Sequence, residues 1–194
     1  TRSPLAPASF PDLAPINGLS LAVASTGVKY KDRDDLLLMA FEEGTSLAGV
    51  FTTSATASAP VLASRDVAQG GVVRASWVNA GNANALAGAL GIQTVDACTS
   101  ALGQVLDIAP TQIATASTGV IGEDLDPKPL IAAMKKADLT ASDAKQADWQ
   151  AAAKAIMTTD SFAKAASRTA KFGREEITLN AIIKGSGMIA PDMA

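Results

Sequence analysis

Histidine is absent from all 194 residues, and Cys98 is the only thiol. No mechanism that needs an imidazole from this chain is available to it. One cysteine cannot close an internal disulfide or build a cysteine-rich zinc site, so no bound metal is expected. Such thiol usage fits a reducing compartment, and a cytoplasmic location is the expectation. Aromatic residues make up only 4% of the chain, and no Lys/Arg cluster is present to track a phosphate backbone. With 16 basic and 19 acidic residues and a net charge of −3, nucleic acid is a poor partner. No run approaches the roughly 20 apolar residues that span a bilayer, which excludes a membrane-spanning helix. What remains is a chain that is 48% apolar, enough for one sizeable core.

Two periods alternate along this chain. Short apolar segments of strand character are separated by alanine-rich stretches with helical spacing, which points to a mixed α/β fold. Strands are predicted at 19–24, 35–41, 46–53, 72–78, 112–117 and 177–183. In the last, Ile177, Leu179, Ala181 and Ile183 share one face opposite Thr178 and Asn180, and the apolar face is expected to be buried. Asp126-Pro127 reads as an N-cap with proline at the first helical position, ahead of Leu130, Ala133 and Met134. Thr140-Ala141-Ser142-Asp143 has capping-box-like spacing and is expected to open the longest helix, to about Met157. A further helix is predicted over 94–106, where Val95, Cys98, Leu102 and Val105 recur at three- and four-residue intervals. Cys98 then packs in the core as a small hydrophobe. Neither a repeat nor a Pro/Gly/Ser-rich linker divides the chain, so residues 1–194 are read as one domain.

Four segments carry more polar chemistry than a plain core domain needs. In Asn79-Ala80-Gly81-Asn82-Ala83-Asn84-Ala85, asparagine and glycine suit a strand-to-helix connection. Ser117-Thr118-Gly119-Val120-Ile121-Gly122 is a strand end entering a glycine-bearing turn, where a backbone N–H and a hydroxyl can together form an oxyanion hole. It lacks the Lys-Ser/Thr ending of a phosphate loop. Thr158-Thr159-Asp160-Ser161 places four oxygen-bearing side chains at a helix end, which either stop the helix or orient a polar substrate. Lys184-Gly185-Ser186-Gly187 puts a lysine where the most regular strand dissolves into a Gly-Ser-Gly turn; a lysine at a strand end is ordinarily just solvated, and the two nearby glycines make this one better placed to meet a substrate carboxylate. The apolar run from Met188 to Ala194 reads as the cut end of a longer polypeptide or as a segment that packs against another chain.

Taken in order, Ala48-Gly49-Val50-Phe51-Thr52-Thr53, the asparagine segment, Ser117 to Gly122, Ile156-Met157-Thr158-Thr159-Asp160 and Lys184 to Pro191 resemble the α subunit of the ornithine acetyltransferases. The resemblance covers essentially the whole chain and implies a layered α-β-β-α sandwich. It implies a precursor that cleaves itself between an alanine and a threonine. Ala194 matches that alanine, so the bond after it would be cut and the nucleophilic threonine would open a separate β chain, within an α2β2 heterotetramer. A leading threonine can use its own α-amino group, pKa about 7.7–8.0, as general base, which accounts for the missing histidine.

The implied reaction is ping-pong transfer of acetyl from N2-acetylornithine to glutamate through an acyl-threonine. It needs no cofactor, and acetyl-CoA is a possible further donor. By the same resemblance, Thr118 and Gly119 match the oxyanion-hole pair, Lys184 a substrate-binding lysine and Ser161 a substrate-contacting threonine. At this last position the chain departs from the usual Asp-Thr and nearby proline, reading Asp160-Ser161-Phe162-Ala163, and Thr159 is the alternative contact. Two other readings stay open: a self-processing amidase or aminopeptidase that releases acyl groups to water, and a non-catalytic binding subunit.

Overall fold

The computed structural model describes residues 2–140, 143–185 and 192–193. In chain order its elements are β1 (Ile16–Asn17), β2 (Leu19–Ala24), β3 (Leu36–Phe41), α1 (Ala59–Gly70), β4 (Ala75–Asn82) and α2 (Gly88–Leu106). They continue with β5 (Ile113–Val120), α3 (Pro127–Met134), β6 (Asp143–Ala144), α4 (Gln146–Ala155), β7 (Lys164–Phe172) and β8 (Glu175–Ile183). Six strands form one sheet in the order β1-β6-β2-β3-β4-β5, and β7 and β8 pair as a separate antiparallel ribbon. Mixed α/β architecture is therefore what the alternating periods encode.

The apolar run Leu36-Leu37-Leu38 is continuous rather than alternating because the large sheet is covered on both faces. Leu36 and Leu38 pack with Trp77, Cys98, Leu102, Leu130 and Met134, so α2 and α3 cover one side. Leu37 packs on the other side with Ala152 and Ala155 of α4 and with Ile156 just after it, joined by Ile182 of the ribbon. The layers thus run from helices through the sheet to α4 and the ribbon. Cys98 is fully buried, as its helical spacing predicts. Burial, reinforced by the negative charge of Asp126, pushes its thiol up to about 12.

Strands β4 and β5 run parallel, from Ala75 opposite Ile113 to Gly81 opposite Gly119, with α2 as the crossover that a parallel pair requires. Both strands therefore end at the same edge, and β5 lies at the border of the sheet. The Asp126 cap forms as expected, its carboxylate accepting from Lys128 N–H at 3.0 Å.

Several expectations fail for identifiable reasons. Residues 46–53 form no strand and make only isolated bridges, Ser46 with Val72 and Thr52 with Met193. The segment has no buried face to anchor it, and Val50 is exposed. The longest helix is α2, whose 19 residues begin six positions before the expected Thr94. Helix α4 is 10 residues long and starts only at Gln146, where Asp148 accepts from Lys145 N–H at 2.8 Å. Thr140 instead bonds to Asp138, and Ala141 and Ser142 lie outside the described residues.

The asparagine segment is part of β4 as far as Asn82, and its side chains are structural. Asn79 Nδ2 donates to Asn82 C=O at 2.9 Å, Asn82 Nδ2 to Glu123 C=O at 3.1 Å, and Asn84 Nδ2 to Gly91 C=O at 2.9 Å. These bonds tie the end of β4 to the start of α2 and to the loop after β5. Helix α1 and strand β7 lie outside the predicted elements.

The largest reversal is in β8. Ile177, Leu179 and Ile183 are 51%, 66% and 64% exposed. The face turned inward is the mixed one: Ile182 joins the core and Asn180 Nδ2 donates to Ala14 C=O at 2.7 Å. Register puts Ala170 opposite Ile177, Arg168 opposite Leu179 and Lys164 opposite Ile183, so one side of the ribbon carries the uncovered apolar face.

Candidate active site

Three chain segments remote in sequence converge beside the end of β5. Thr118 comes from that strand, Thr158 and Asp160 from the turn between α4 and β7, and Lys184 and Gly185 from the exit of β8. Lys184 Nζ donates to Thr118 Oγ1 and, at 3.1 Å, to Thr158 Oγ1. The ammonium is partly buried between two hydroxyls, and among the described residues one of its three N–H donors is uncommitted. Because Lys184 occupies a lone pair of Thr118 Oγ1, the O–H of Thr118 must aim elsewhere, and the cation polarises it as a donor.

Gly119 continues β5 with φ +139°, a conformation open to glycine. A Cβ there would lie 2.2 Å from the carbonyl carbon of Gly81, 2.4 Å from its oxygen and 2.6 Å from Asn82 N. All three obstructing atoms are backbone, so no side chain can move aside to admit it. A register shift in the β4–β5 pairing at Gly81 and Asn82 accompanies this close approach. Gly119 itself is exposed, next to the Thr118 hydroxyl.

The turn that supplies Thr158 is held from two sides. Arg33, stacked on Tyr30 at 4.3 Å, donates through Nη2 to the carbonyls of Lys154 and Met157, satisfying the C-terminal end of α4. Past that end, Asp160 accepts from Thr158 N–H at 3.2 Å, from Gly185 N–H at 2.7 Å and from Lys164 Nζ. Desolvation alone would raise the Asp160 pKa. Hydrogen bonds from Lys164, Gly185 and Thr158 outweigh it and hold the carboxyl below the ordinary aspartate value.

Of the residues singled out from sequence, Thr118 and Lys184 are thus brought into direct contact 66 positions apart, with Gly119 alongside. Ser161 is exposed, and its Oγ accepts from Ser3 N–H at 3.3 Å. Thr159 is exposed on the same turn. Ala194 and the segment 186–191 lie outside the described residues. Thr158, Asp160, Lys164 and Arg33 were not separable as site residues by sequence reasoning; the run Thr158-Thr159-Asp160-Ser161 was the one signal that marked two of them. Among the described residues no three Cys, Asp or Glu side chains converge to hold a metal, and no helix is long and apolar enough to cross a membrane.

Comparison with known proteins adds a consistent set of relatives. The sequence signature of the ArgJ family matches residues 20–194. The arginine biosynthesis bifunctional protein ArgJ of Bartonella henselae is 46% identical over 192 residues, covering 99% of this chain and 46% of the relative. That of Agrobacterium fabrum is 46% identical over 193 residues, with coverage of 99% and 46%. The chain therefore spans about half the length of the curated relatives it matches. Among solved structures, arginine biosynthesis bifunctional protein ArgJ from Bacillus halodurans superposes with a TM-score of 0.82 at 31% identity, covering 91% of each chain. Ornithine acetyltransferase from Mycobacterium tuberculosis, solved in complex with ornithine, superposes with a TM-score of 0.79 at 31% identity, covering 91% of this chain and 93% of the other.

Proposed function

This chain belongs to the ArgJ family, and from that premise we propose that it is the α portion of an acyltransferase that moves acetyl from N2-acetylornithine to glutamate. The nucleophile is the threonine that begins a second, β chain after Ala194, and its α-amino group is the general base. Its hydroxyl oxygen attacks the acetyl carbonyl carbon while the amine takes the hydroxyl proton. The tetrahedral oxyanion collapses, the C–N bond breaks, and ornithine leaves with that proton, which gives an acetyl-threonine ester. Glutamate's amine then attacks the ester carbonyl carbon and gives a proton to the α-amino group, a second tetrahedral oxyanion forms, and its collapse breaks the ester C–O bond, releases N-acetylglutamate and returns that proton to the threonine oxygen.

Within this scheme Thr118 O–H and Gly119 N–H stabilise both oxyanions. One observation carries the reading: Lys184 Nζ bonded to Thr118 Oγ1, beside the exposed Gly119. That contact leaves the Thr118 proton directed away from Lys184 Nζ and would set a positive charge near the place where negative charge develops. The remaining Lys184 donor faces a substrate carboxylate, and Ser161, with Thr159 as the alternative, is the proposed contact for the substrate's polar end. No cofactor enters the scheme, and acetyl-CoA is the thioester that the same threonine would accept as a second acetyl donor.

The partner reading draws on the uncovered apolar face of β7 and β8, which suits the β chain, with two αβ pairs joining as α2β2 in the cytoplasm. Purified full-length material should separate into two chains, the second beginning with threonine, and should pass label from acetylornithine to glutamate. A single uncut chain, or label released mainly as acetate while glutamate is present, would overturn the proposal and favour a hydrolase.

A further inference from the structure

Lys184 has a long, flexible side chain just past the end of β8, yet it must sit between two particular hydroxyls for the reaction proposed above. Its neighbour Gly185 has φ +116°, and among the described residues nothing lies within 4 Å of where a Cβ would be, so no side-chain packing there accounts for its placement. Hydrogen bonds do. Asp160 Oδ1 accepts from Gly185 N–H at 2.7 Å and from Lys164 Nζ, while Lys164 Nζ also donates to Gly185 C=O at 3.0 Å. One ion pair therefore grips both polar groups of Gly185. The second carboxylate oxygen, Oδ2, accepts from Thr158 N–H at 3.2 Å.

These contacts close a ring. Asp160 holds the backbone of Thr158 on one side and of Gly185 on the other, and Lys184 Nζ meets Thr158 Oγ1 between them at 3.1 Å. The Asp160 side chain is fully buried, and Lys164, 27% exposed, also lies 5.0 Å from the centre of the Phe162 ring. A buried carboxylate that accepts from Thr158 N–H and from Gly185 N–H, and pairs with the lysine that bonds Gly185 C=O, is arranged to aim Lys184.

Resting on the reading of the site given above, we propose that Asp160, paired with Lys164, is a positioning residue that fixes Lys184 between Thr118 and Thr158 and so orients the oxyanion hole. Among the described residues the side-chain bonds of Asp160 reach Thr158, Lys164 and Gly185 and neither Thr118 nor Gly119, so its effect on rate passes through Lys184.

The test is a double-mutant cycle in the full-length protein, measuring kcat and KM for acetyl transfer with Asp160→Asn, Lys184→Met and the pair together. Asp160→Asn removes the charge that holds Lys164 and turns an amide toward Thr158 N–H. It is expected to lower kcat/KM by about 10²-fold, the scale of an ångström misplacement. Groups acting as one unit are not additive, so adding Asp160→Asn to Lys184→Met should cost nothing further. Wild-type activity in Asp160→Asn, or losses that multiply in the pair, would overturn the proposal. A harmless Lys184→Met would instead remove the reading of the site itself, and the clamp with it. Lys164→Met, at a partly exposed position, must show the same non-additivity with Lys184→Met. If Asp160→Asn does not fold, this second cycle decides, and multiplying losses in it overturn the proposal equally.

Discussion

Thr118→Val is the perturbation that separates the chemistry of the site from its architecture. Valine replaces a hydroxyl by a methyl of nearly equal volume and keeps the β-branched shape preferred in a strand. Two interactions are lost: the proposed donation to the oxyanion and the acceptance from Lys184 Nζ. In the resting fold the second loss is small, because Lys184 keeps its 3.1 Å bond to Thr158 Oγ1 and the site is only partly buried. A net cost of about 0.5–1.5 kcal/mol to stability follows from the usual worth of one hydrogen bond. In the transition state, loss of an oxyanion donor costs about 10²- to 10³-fold in kcat, or about 2.7–4 kcal/mol. The variant should therefore fold and lose turnover. Acetyl transfer from labelled acetylornithine to glutamate reads the rate, normalised to the two-chain fraction seen on a gel, and a thermal melt reads the fold. Thr118→Ser retains the hydroxyl and should recover most of the rate. Thr118→Val turning over at the wild-type rate, or showing its defect wholly in KM, would refute the oxyanion assignment.

Gly119→Ala should do the reverse and damage the fold first. Its Cβ would stand 2.2 Å from Gly81 backbone at φ +139°, so β5 must shift from β4. The strained backbone alone costs about 1–3 kcal/mol, and an unchanged melting temperature would contradict the close approach. Cys98, with its pKa pushed from 9.0 to about 12, should resist alkylation at pH 8 until denaturant is added. Between those values the unfolded chain has released a proton that the folded chain keeps, so Cys98 makes stability fall as pH rises through that window. Rapid labelling of the native protein would show the thiol to be accessible. On the ribbon, Ile177→Lys with Leu179→Lys alters exposed positions, so the melt of this chain alone should move little, by about 0.5 kcal/mol or less per site. Recovery of the second chain in co-purification should drop sharply, and wild-type recovery would show that this face is not the contact.

How far the sequence reaches depends on whether a segment's partner is local. Asp126 and Pro127 cap α3 from positions beside it, and the three- and four-residue spacing around Cys98 belongs to α2 itself, so both were legible. Strand β2 was legible to its exact bounds, because Leu19, Leu21 and Val23 alternate within it. Strand β7 was not. Lys164 to Phe172 reads Lys-Ala-Ala-Ser-Arg-Thr-Ala-Lys-Phe, poor in strand-forming side chains, and it is extended because β8 pairs with it along nine residues. The same dependence on what lies elsewhere reverses the reading of β8. Its alternation was legible, but periodicity says only that two faces differ, and which of them meets this chain's core is decided by Ile182 and Asn180. The apolar face of Ile177, Leu179 and Ile183 is left exposed, and the β chain is its proposed cover. For the site, single segments marked Thr118, Gly119 and Lys184 as unusual and suggested an oxyanion hole and a carboxylate contact, and resemblance then matched those positions to roles. Their contact could not be read locally, since 66 positions separate the two ends of one hydrogen bond. Asp160 shows why the remainder stayed hidden: as a helix-stopping aspartate it has a sufficient local explanation, and only the folded chain reveals that its oxygens are spent on Gly185 and Thr158 instead.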